Sequence, residues 1–173
     1  MTPVLLAFVA FVAMEGVSAM THRVVMHGPG MGWHRSHHRP GTGGFERNDL
    51  FPVCFSAVGV SLFAVATIGP VPALWWVAVG VTAYGAAYLF VHEIAIHHRL
   101  PVRVPALAYL DWVRDAHRVH HRGGRGPYGM LLPVVSAERR RAAGAAAEAG
   151  FDPLSRDRRA SRARSTRTAR PRL

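Results

Sequence analysis

Three long apolar runs constrain the fold of this chain more than any other feature. They extend from Pro3 to Met20, from Leu50 to Ile68 and from Val71 to Val91. A helix needs about 20 apolar residues to cross the hydrocarbon core of a bilayer. No basic residue precedes the first run, as it would in a signal peptide, so we interpret this run as a retained transmembrane helix. The runs predict an all-α, integral membrane protein.

The segments between and after these runs suggest how the helices connect. The Gly-Pro-Val-Pro sequence at 69–72 is a turn signal, so the second and third helices should form an antiparallel hairpin. Residues 102–121 are predicted to form an amphipathic helix, and 128–135 is too short to span, which favours an interfacial or re-entrant segment. We therefore expect a bundle of three or four membrane helices. The single Cys54 excludes an internal disulfide, and we expect it to be buried.

Half of the residues are hydrophobic, yet the chain carries a formal charge of +11. We divide it into a membrane domain, residues 1–135, and an Arg/Ala-rich tail, residues 136–173. From residue 138 onward the tail holds 11 Arg and four acidic residues, so we expect it to be largely disordered, with a short helix over 137–149. Nucleic-acid binding is one interpretation of this charge. Membrane topology and anionic membrane lipids already account for it, so no nucleic-acid partner is expected.

The arginines also predict an orientation. They are abundant in 22–47, in 99–125 and in the tail, whereas the N-terminus and the 69–72 turn have none. Loops on the cytoplasmic side are enriched in basic residues. The N-terminus should therefore lie outside, with the tail in the cytoplasm and the helices in the inner or plasma membrane.

Ten of the 11 histidines form four blocks in the repeating order HxxxxH, HxxHH, HxxxxH, HxxHH. The first two blocks follow the first apolar run, and the last two follow the third run. The predicted topology brings all four blocks to the cytoplasmic side. The ten candidate metal ligands are His22, His27, His34, His37, His38, His92, His97, His117, His120 and His121.

The spacing within the blocks has a geometric meaning. Positions i, i+3 and i+4 share one face of a helix, so the three rings of each HxxHH block should project together. The two rings of HxxxxH lie about 140° apart on a straight α-helix, so they would reach two different metals or require a helix that unwinds near its end.

Neutral imidazole binds iron, zinc, copper or nickel, and the spacing alone fits iron and zinc equally. Ten imidazoles exceed what one ion can hold, so two ions are the natural number. A closed structural zinc site usually includes Cys, which favours another kind of metal centre. The remaining histidine, His98, is expected to be an interfacial residue outside the site.

The order of the blocks and the sequence around them resemble the non-haem di-iron β-carotene hydroxylases of the fatty acid hydroxylase superfamily. The resemblance covers roughly residues 10–132 and includes the stretches MEGVSAMTHRVVMHGPGMGWHRSHHRP, FERNDLF, TAYGAAYLFVHEIAIHHRLP and DAHRVHH. It implies that the ten block histidines ligate two iron ions and carry the catalysis. It also implies that O₂ hydroxylates carbon 3 of a β-ionone ring, converting β-carotene to β-cryptoxanthin and zeaxanthin.

The same resemblance implies a carotenoid substrate lying in the bilayer. The chain has no flavin or nicotinamide fingerprint, so its electrons must come from an external donor, which the resemblance implies is ferredoxin with its reductase. Two alternatives to carotenoid hydroxylation differ from it in substrate or in function. One is a di-iron hydroxylase of a sterol or a fatty acyl chain, and the other is a membrane metal-binding or transport protein. Transporters place ligands near the midplane, whereas these blocks lie at one membrane face.

Four carboxylates are candidates for supporting the site. Glu93, Asp115 and Asp49 lie near the blocks in sequence and could orient ligating rings, although a surface or helix-terminal role fits them as well. Glu15 lies within the first apolar run, and a carboxylate inside a membrane helix is a functional candidate by default. We expect it to face the interior on the metal side.

Overall fold

A computed structural model describes residues 2–38, 45–69, 71–123 and 126–154, and all regular structure in these ranges is helical, which confirms the all-α prediction. Two of the α-helices continue directly into π-helical segments, named π1 and π2 here. The elements in chain order are α1 (Pro3–Met20), π1 (Thr21–Met26), α2 (Met31–His34), a 3₁₀ turn (Arg47–Asp49), α3 (Leu50–Ile68), α4 (Pro72–Tyr88), π2 (Leu89–Ile96), α5 (Ala108–Gly123) and α6 (Ala137–Glu148).

Within the described ranges, three helices are long and apolar enough to cross a membrane. They are Pro3–Met26, Arg47–Ile68 and Pro72–Ile96. Their mean hydropathies are 2.0, 2.1 and 1.6. The first two contain a predicted run and the third covers its run from Pro72 onward, and the π-helical continuations carry the first and third spans beyond the α-helical part. The structure therefore confirms a membrane bundle with three candidate spans.

The three spans pack with α4 in the middle, between α1 and α3. The contact of α3 with α4 confirms the predicted hairpin. The crossing of α1 and α4 is close because position 80 has no side chain: a Cβ on Gly80 would overlap the carbonyl oxygen of Ala7 and lie 2.8 Å from Ala10 Cβ. Membrane helices associate by van der Waals packing, and small residues allow their backbones to approach. Gly80 thus fixes how α1 sits on α4.

The third helix of this row, α3, packs mainly against α4, so much of its surface faces outward. Cys54 lies on this outer surface and is exposed, which corrects the prediction that it is buried. The apolar character of the run around Cys54 reflects contact with lipid and not with a protein core.

After the spans, α5 begins later than predicted and α6 packs on it. Residues 102–107 are not helical. Pro105 explains this, because the residue before a proline is disfavoured in the α conformation. Arg140 of α6 lies over the ring of Trp112 of α5, 5.7 Å from its centroid. Of the tail that we predict to be largely disordered, α6 covers Ala137–Glu148, and residues 155–173 fall outside the described residues.

Residues 126–135 form an irregular segment that returns towards the spans. Met130 is buried in an apolar core with Val91, Ile96 and Val113, and Leu131 packs against the same core. The hydroxyl of Tyr109 donates to the Leu131 carbonyl at 2.8 Å. This contact set places the segment against π2 and α5, and its interfacial or re-entrant position stays a prediction.

We expect Gly80→Ala to lower the free energy of unfolding by about 1–3 kcal/mol, because the added methyl group cannot fit against the α1 backbone. Thermal unfolding of the detergent-solubilised protein measures this change. Gly85→Ala in the same helix is the matched control, since a Cβ there meets nothing within 4 Å. Equal stability of the two variants would show that α1 and α4 do not touch at Gly80.

Candidate metal centre

Histidines from all four blocks converge at one end of the bundle in two adjacent groups, each of which could hold a metal ion. One group contains His22, His27, His34 and His120, and the other contains His37, His92, His97 and His117. Within each group the ligand nitrogens lie within 4.8 Å of one another. We name these groups the first and second clusters.

The two remaining block histidines extend these clusters. His38 Nε2 lies 3.1 Å from His34 Nε2 in the first cluster. His121 Nε2 lies 2.9 Å from His117 Nε2 in the second cluster and 3.1 Å from His37 Nε2. All ten candidate ligands are therefore brought together, whereas His98 is exposed and belongs to neither group.

The π-helical turns decide where each HxxxxH pair points. In a π-helix the residue at i+5 donates to the carbonyl of residue i, so these two residues lie one above the other. The N–H of His27 donates to the His22 carbonyl at 3.1 Å, and that of His97 to the His92 carbonyl at 3.0 Å. Each pair therefore serves a single cluster. The alternative in which the two rings of HxxxxH reach different metals is wrong. The other alternative holds, because each helix changes from α to π geometry near its end.

Each HxxHH block is divided between the two clusters. The prediction that its three rings project together is therefore wrong. The i and i+4 histidines serve one cluster and the middle histidine serves the other. His37 and His120 are these middle residues. The first HxxHH block is also not on one helix, because α2 ends at His34 and residues 35–38 form turns. The second block does lie on one helix, α5.

Oxygen acceptors from three separate segments orient rings of the two clusters. His22 Nδ1 donates to the Tyr128 carbonyl at 3.1 Å. His34 Nδ1 donates to Asn48 Oδ1 at 2.8 Å. A ring held through Nδ1–H has its proton fixed on that nitrogen, and its Nε2 is left free to bind a metal.

The third oriented ring belongs to the second cluster. His92 Nδ1 contacts Glu93 Oε1 at 2.6 Å. The other oxygen of Glu93 accepts from Arg99 at 2.7 Å, and Arg99 also donates to Asp49. Two candidate carboxylates thus reach the site, Glu93 directly and Asp49 through Arg99. Asp115 does not: it pairs with Arg118 at 2.6 Å on α5.

Sequence reasoning missed three supporting residues: Asn48, Arg99 and Tyr128. Asn48 stands beside Asp49 in the NDLF stretch, so that stretch could have pointed to it. Tyr128 acts through its backbone carbonyl, and no sequence pattern identifies such a role. Glu15 faces the interior, as expected, but its partners are Tyr84 and the backbone of residues 130–132, and not a histidine ring.

The oriented rings of the first cluster show why this site suits a cation. The oxygens that face Nδ1 of His22 and Nδ1 of His34 only accept, so both rings carry their proton on Nδ1. Their Nε2 lone pairs then face each other at 3.1 Å, an arrangement that is repulsive without a cation. Imidazole nitrogens lie about 2.1 Å from a bound transition-metal ion, so two ligands at right angles are about 3.0 Å apart. The observed spacing fits metal coordination.

Burial lowers the pKa values of cluster histidines outside the spans, because a buried imidazolium loses its hydration. The pKa falls from 6.5 to about 4 for both His34 and His38. It falls well below 6.5 for His37, His117 and His121, where neighbouring imidazoles add to the effect of burial. The rings are therefore neutral near pH 7, the form that binds metals.

Comparison with known proteins agrees with this geometry. A family model described as fatty acid hydroxylase matches residues 7–137, the stretch that contains both clusters. The chain belongs to the fatty acid hydroxylase family. This family consists of non-haem di-iron oxygenases, and together with the clusters it indicates that this hydroxylase binds iron. No solved structure matches the chain.

Curated relatives of this fatty acid hydroxylase family member come from bacteria and plants. It is 46% identical over 125 residues to a β-carotene hydroxylase of Pseudescherichia vulneris, which covers 70% of each chain. It is 41% identical over 157 residues to a β-carotene hydroxylase of Pantoea ananas, covering 86% of this chain and 89% of the relative. It is 38% identical over 135 residues to the chloroplastic β-carotene 3-hydroxylase 2 of Arabidopsis thaliana. This match covers 75% of this chain and 45% of the relative.

We expect the metal-free protein to lose stability as the pH falls from about 6.5 to about 4. Over this window the unfolded chain binds protons at His34 and His38 while the folded protein keeps them neutral, so protons favour unfolding. The stabilisation is fully present above pH 6.5 and is lost towards pH 4. Thermal unfolding in detergent over a pH series measures it.

The variant His34→Gln is the control for this pH series. It should lose less stability over the same window, because one of the buried rings that only the unfolded chain protonates is gone. An unchanged unfolding temperature between pH 6.5 and pH 4 in the parent protein would contradict the presence of buried, neutral rings.

Proposed function

We propose that this protein is a β-carotene hydroxylase that converts β-carotene to β-cryptoxanthin and then to zeaxanthin. In each round a C–H bond at carbon 3 of a β-ionone ring becomes C–OH. One atom of O₂ enters the ring and the other leaves as water, with two electrons and two protons supplied from outside. Support comes from curated β-carotene hydroxylases of bacteria and plants that share 37–46% identity with this chain.

The observation that carries this proposal is an apolar cavity beside the histidines. The cavity has a volume of about 450 Å³ and lies between α1, α3 and α4. Small-molecule pockets have volumes of about 300–1,000 Å³ and mostly apolar walls. Its apolar wall residues include Phe51, Phe55, Phe63, Val81 and Leu89. Such a cavity suits the end group of a hydrocarbon polyene, whose remaining length extends along the helices in the bilayer.

The cavity adjoins the metal centre. Ser18, Met26 and Tyr88 line both the apolar cavity and a narrow space beyond it. That narrow space is bordered by one pair of histidines from each cluster: His22 and His34, and His37 and His92. A ring that enters the apolar cavity from the lipid side would therefore stop at the three residues that separate it from the histidines.

We propose that the ten block histidines hold two iron ions, five around each ion. The ions, when bound, supply the redox chemistry that activates O₂, since no amino-acid side chain can attack an unactivated C–H bond. The protein supplies the rest. Rings fixed by Tyr128, Asn48 and Glu93 would hold the ions, and the apolar cavity aligns the substrate ring and excludes water.

For the orientation, we propose that the N-terminus lies outside the plasma membrane and that the clusters and the tail lie in the cytoplasm. Exposed arginines surround the cluster end of the bundle, and basic residues mark the cytoplasmic side. They include Arg23, Arg35, Arg47, Arg103 and Arg122. The same surface would attract an acidic electron donor, for which we propose ferredoxin with its reductase.

Pigment analysis tests the activity. Cells that accumulate β-carotene and contain a ferredoxin system should form mono- and dihydroxylated products when they express this chain. His37→Ala removes a ring from the second cluster, and His120→Ala removes one from the first. Each variant should therefore abolish these products. Chromatography with mass detection measures the pigments.

The matched control for the pigment analysis is His98→Asn, since His98 belongs to neither cluster and Asn tolerates its positive φ of 48°. This variant should hydroxylate as the parent does. Unchanged β-carotene in cells that contain the parent protein and its donor would contradict the substrate. Hydroxylation of a sterol or fatty acyl chain, or metal binding without oxygen uptake, would then identify the competing function.

Salt dependence tests the donor surface. Raising the ionic strength from about 0.1 M to about 1 M shortens the screening length from about 10 Å to about 3 Å, so ferredoxin-dependent turnover should slow several-fold. Steady-state hydroxylation by the reconstituted system measures this rate. The double variant Arg35→Gln, Arg47→Gln should be slower at low salt and less sensitive to added salt. A rate independent of salt in the parent protein would contradict an electrostatic docking surface.

A further inference from the structure

Glu15 forms a polar contact set inside the first membrane span. Its carboxylate accepts from the backbone N–H groups of Met130 and Leu132 at 2.8 and 2.9 Å, and from that of Leu131 at 3.1 Å. The Tyr84 hydroxyl donates to the same carboxylate at 2.8 Å. Three consecutive N–H groups that converge on one anion form a backbone nest, a common way of binding a negative group.

These hydrogen bonds provide partners for a carboxylate and for backbone N–H groups. Without partners, burying either kind of group within a membrane would cost free energy. A carboxylate within a membrane helix requires partners, and so do the N–H groups of a backbone segment that is not helical. The segment 126–135 has no helical hydrogen bonds of its own. Glu15 and this segment therefore stabilise each other.

Gly129 makes the close approach possible. A Cβ at this position would lie 2.8 Å from Glu15 Oε1 and 3.0 Å from the Leu132 carbonyl oxygen. Both distances are shorter than ordinary van der Waals contact, and the second partner is backbone. A side chain at position 129 would therefore displace the carboxylate from the nest.

The other end of the same segment contacts the first cluster. Only one residue separates Met130, which donates to Glu15, from Tyr128, whose carbonyl accepts from His22 Nδ1 at 3.1 Å. The ring of Tyr128 also lies 5.5 Å from that of His22 and 5.4 Å from that of His27. A shift of residues 130–132 would carry the Tyr128 carbonyl with it and leave His22 Nδ1–H without its acceptor.

We propose that Glu15 is a positioning residue for the first cluster: through residues 128–132 it holds the Tyr128 carbonyl against His22 and thereby directs His22 Nε2 to the metal. Glu93 performs the corresponding task for His92 by direct contact, so each cluster has its own carboxylate. The inference rests on metal binding by the first cluster, which belongs to the proposed function.

The test measures Co²⁺ binding by the full-length chain in detergent, followed by the visible spectrum of the bound ion. His97→Ala disables the second cluster and leaves the first to be measured alone, and His27→Ala does the reverse. In the His97→Ala chain, Glu15→Gln should weaken binding about 10- to 100-fold and alter the spectrum, because a supporting partner of a ligand is lost. In the His27→Ala chain, Glu15→Gln should change neither property.

Three further variants sharpen the test. Gly129→Ala should reproduce the effect of Glu15→Gln while keeping the carboxylate. Gly16→Ala, beside Glu15 on α1, is the matched control and should have no effect, since a Cβ there meets nothing within 4 Å. Glu93→Gln should show the opposite selectivity and weaken only the second cluster.

Each outcome separates this inference from the proposed function. If the parent chain binds no Co²⁺, metal binding itself is wrong. If it binds two ions but Glu15→Gln and Gly129→Ala leave the affinity of the first cluster unchanged, only the positioning role is overturned. Equal weakening of Co²⁺ binding at both clusters would also overturn the positioning role, because Glu15 would then support the fold in general.

Discussion

Two i→i+5 hydrogen bonds, one at the end of each of two membrane helices, determine how this bundle gathers its histidines. They join His22 to His27 and His92 to His97. With α-helical geometry the two rings of each pair would diverge, and neither cluster could form. π-helical turns are rare and occur frequently at functional sites. Here each turn converts the end of a membrane span into a pair of converging imidazoles.

The repeat in the sequence becomes an interlocked structure. Each half of the chain builds most of one cluster and gives a single ring to the other, and these exchanged rings are His37 and His120. Neither half can therefore complete its own cluster. The exchange also requires α1 and α4 to be held side by side, which the contact at Gly80 achieves.

Polar and apolar surroundings meet at the clusters. On the membrane side, an apolar cavity lies next to them between α1, α3 and α4. On the other side, oxygen acceptors from Asn48, Glu93 and Tyr128 fix the rings. The largely buried Arg99 is paired with Glu93 and Asp49, because an unpaired buried charge is costly. Because of this asymmetry, the clusters border an apolar cavity on one side and their rings are oriented from the other.

The sequence by itself determined the helical class, the three spans and the ten clustered histidines, because apolar run length and residue type are local properties of the chain. The tertiary structure decided which histidine joins which cluster, because that depends on π-helical geometry and on the end of α2 at His34. It also decided the supporting contacts. Glu93 was predictable from its position beside His92, whereas Tyr128 acts through a backbone carbonyl and Glu15 through a segment more than 110 residues away, with its nearest donor at Met130. Such contacts arise only when distant parts of the chain pack together.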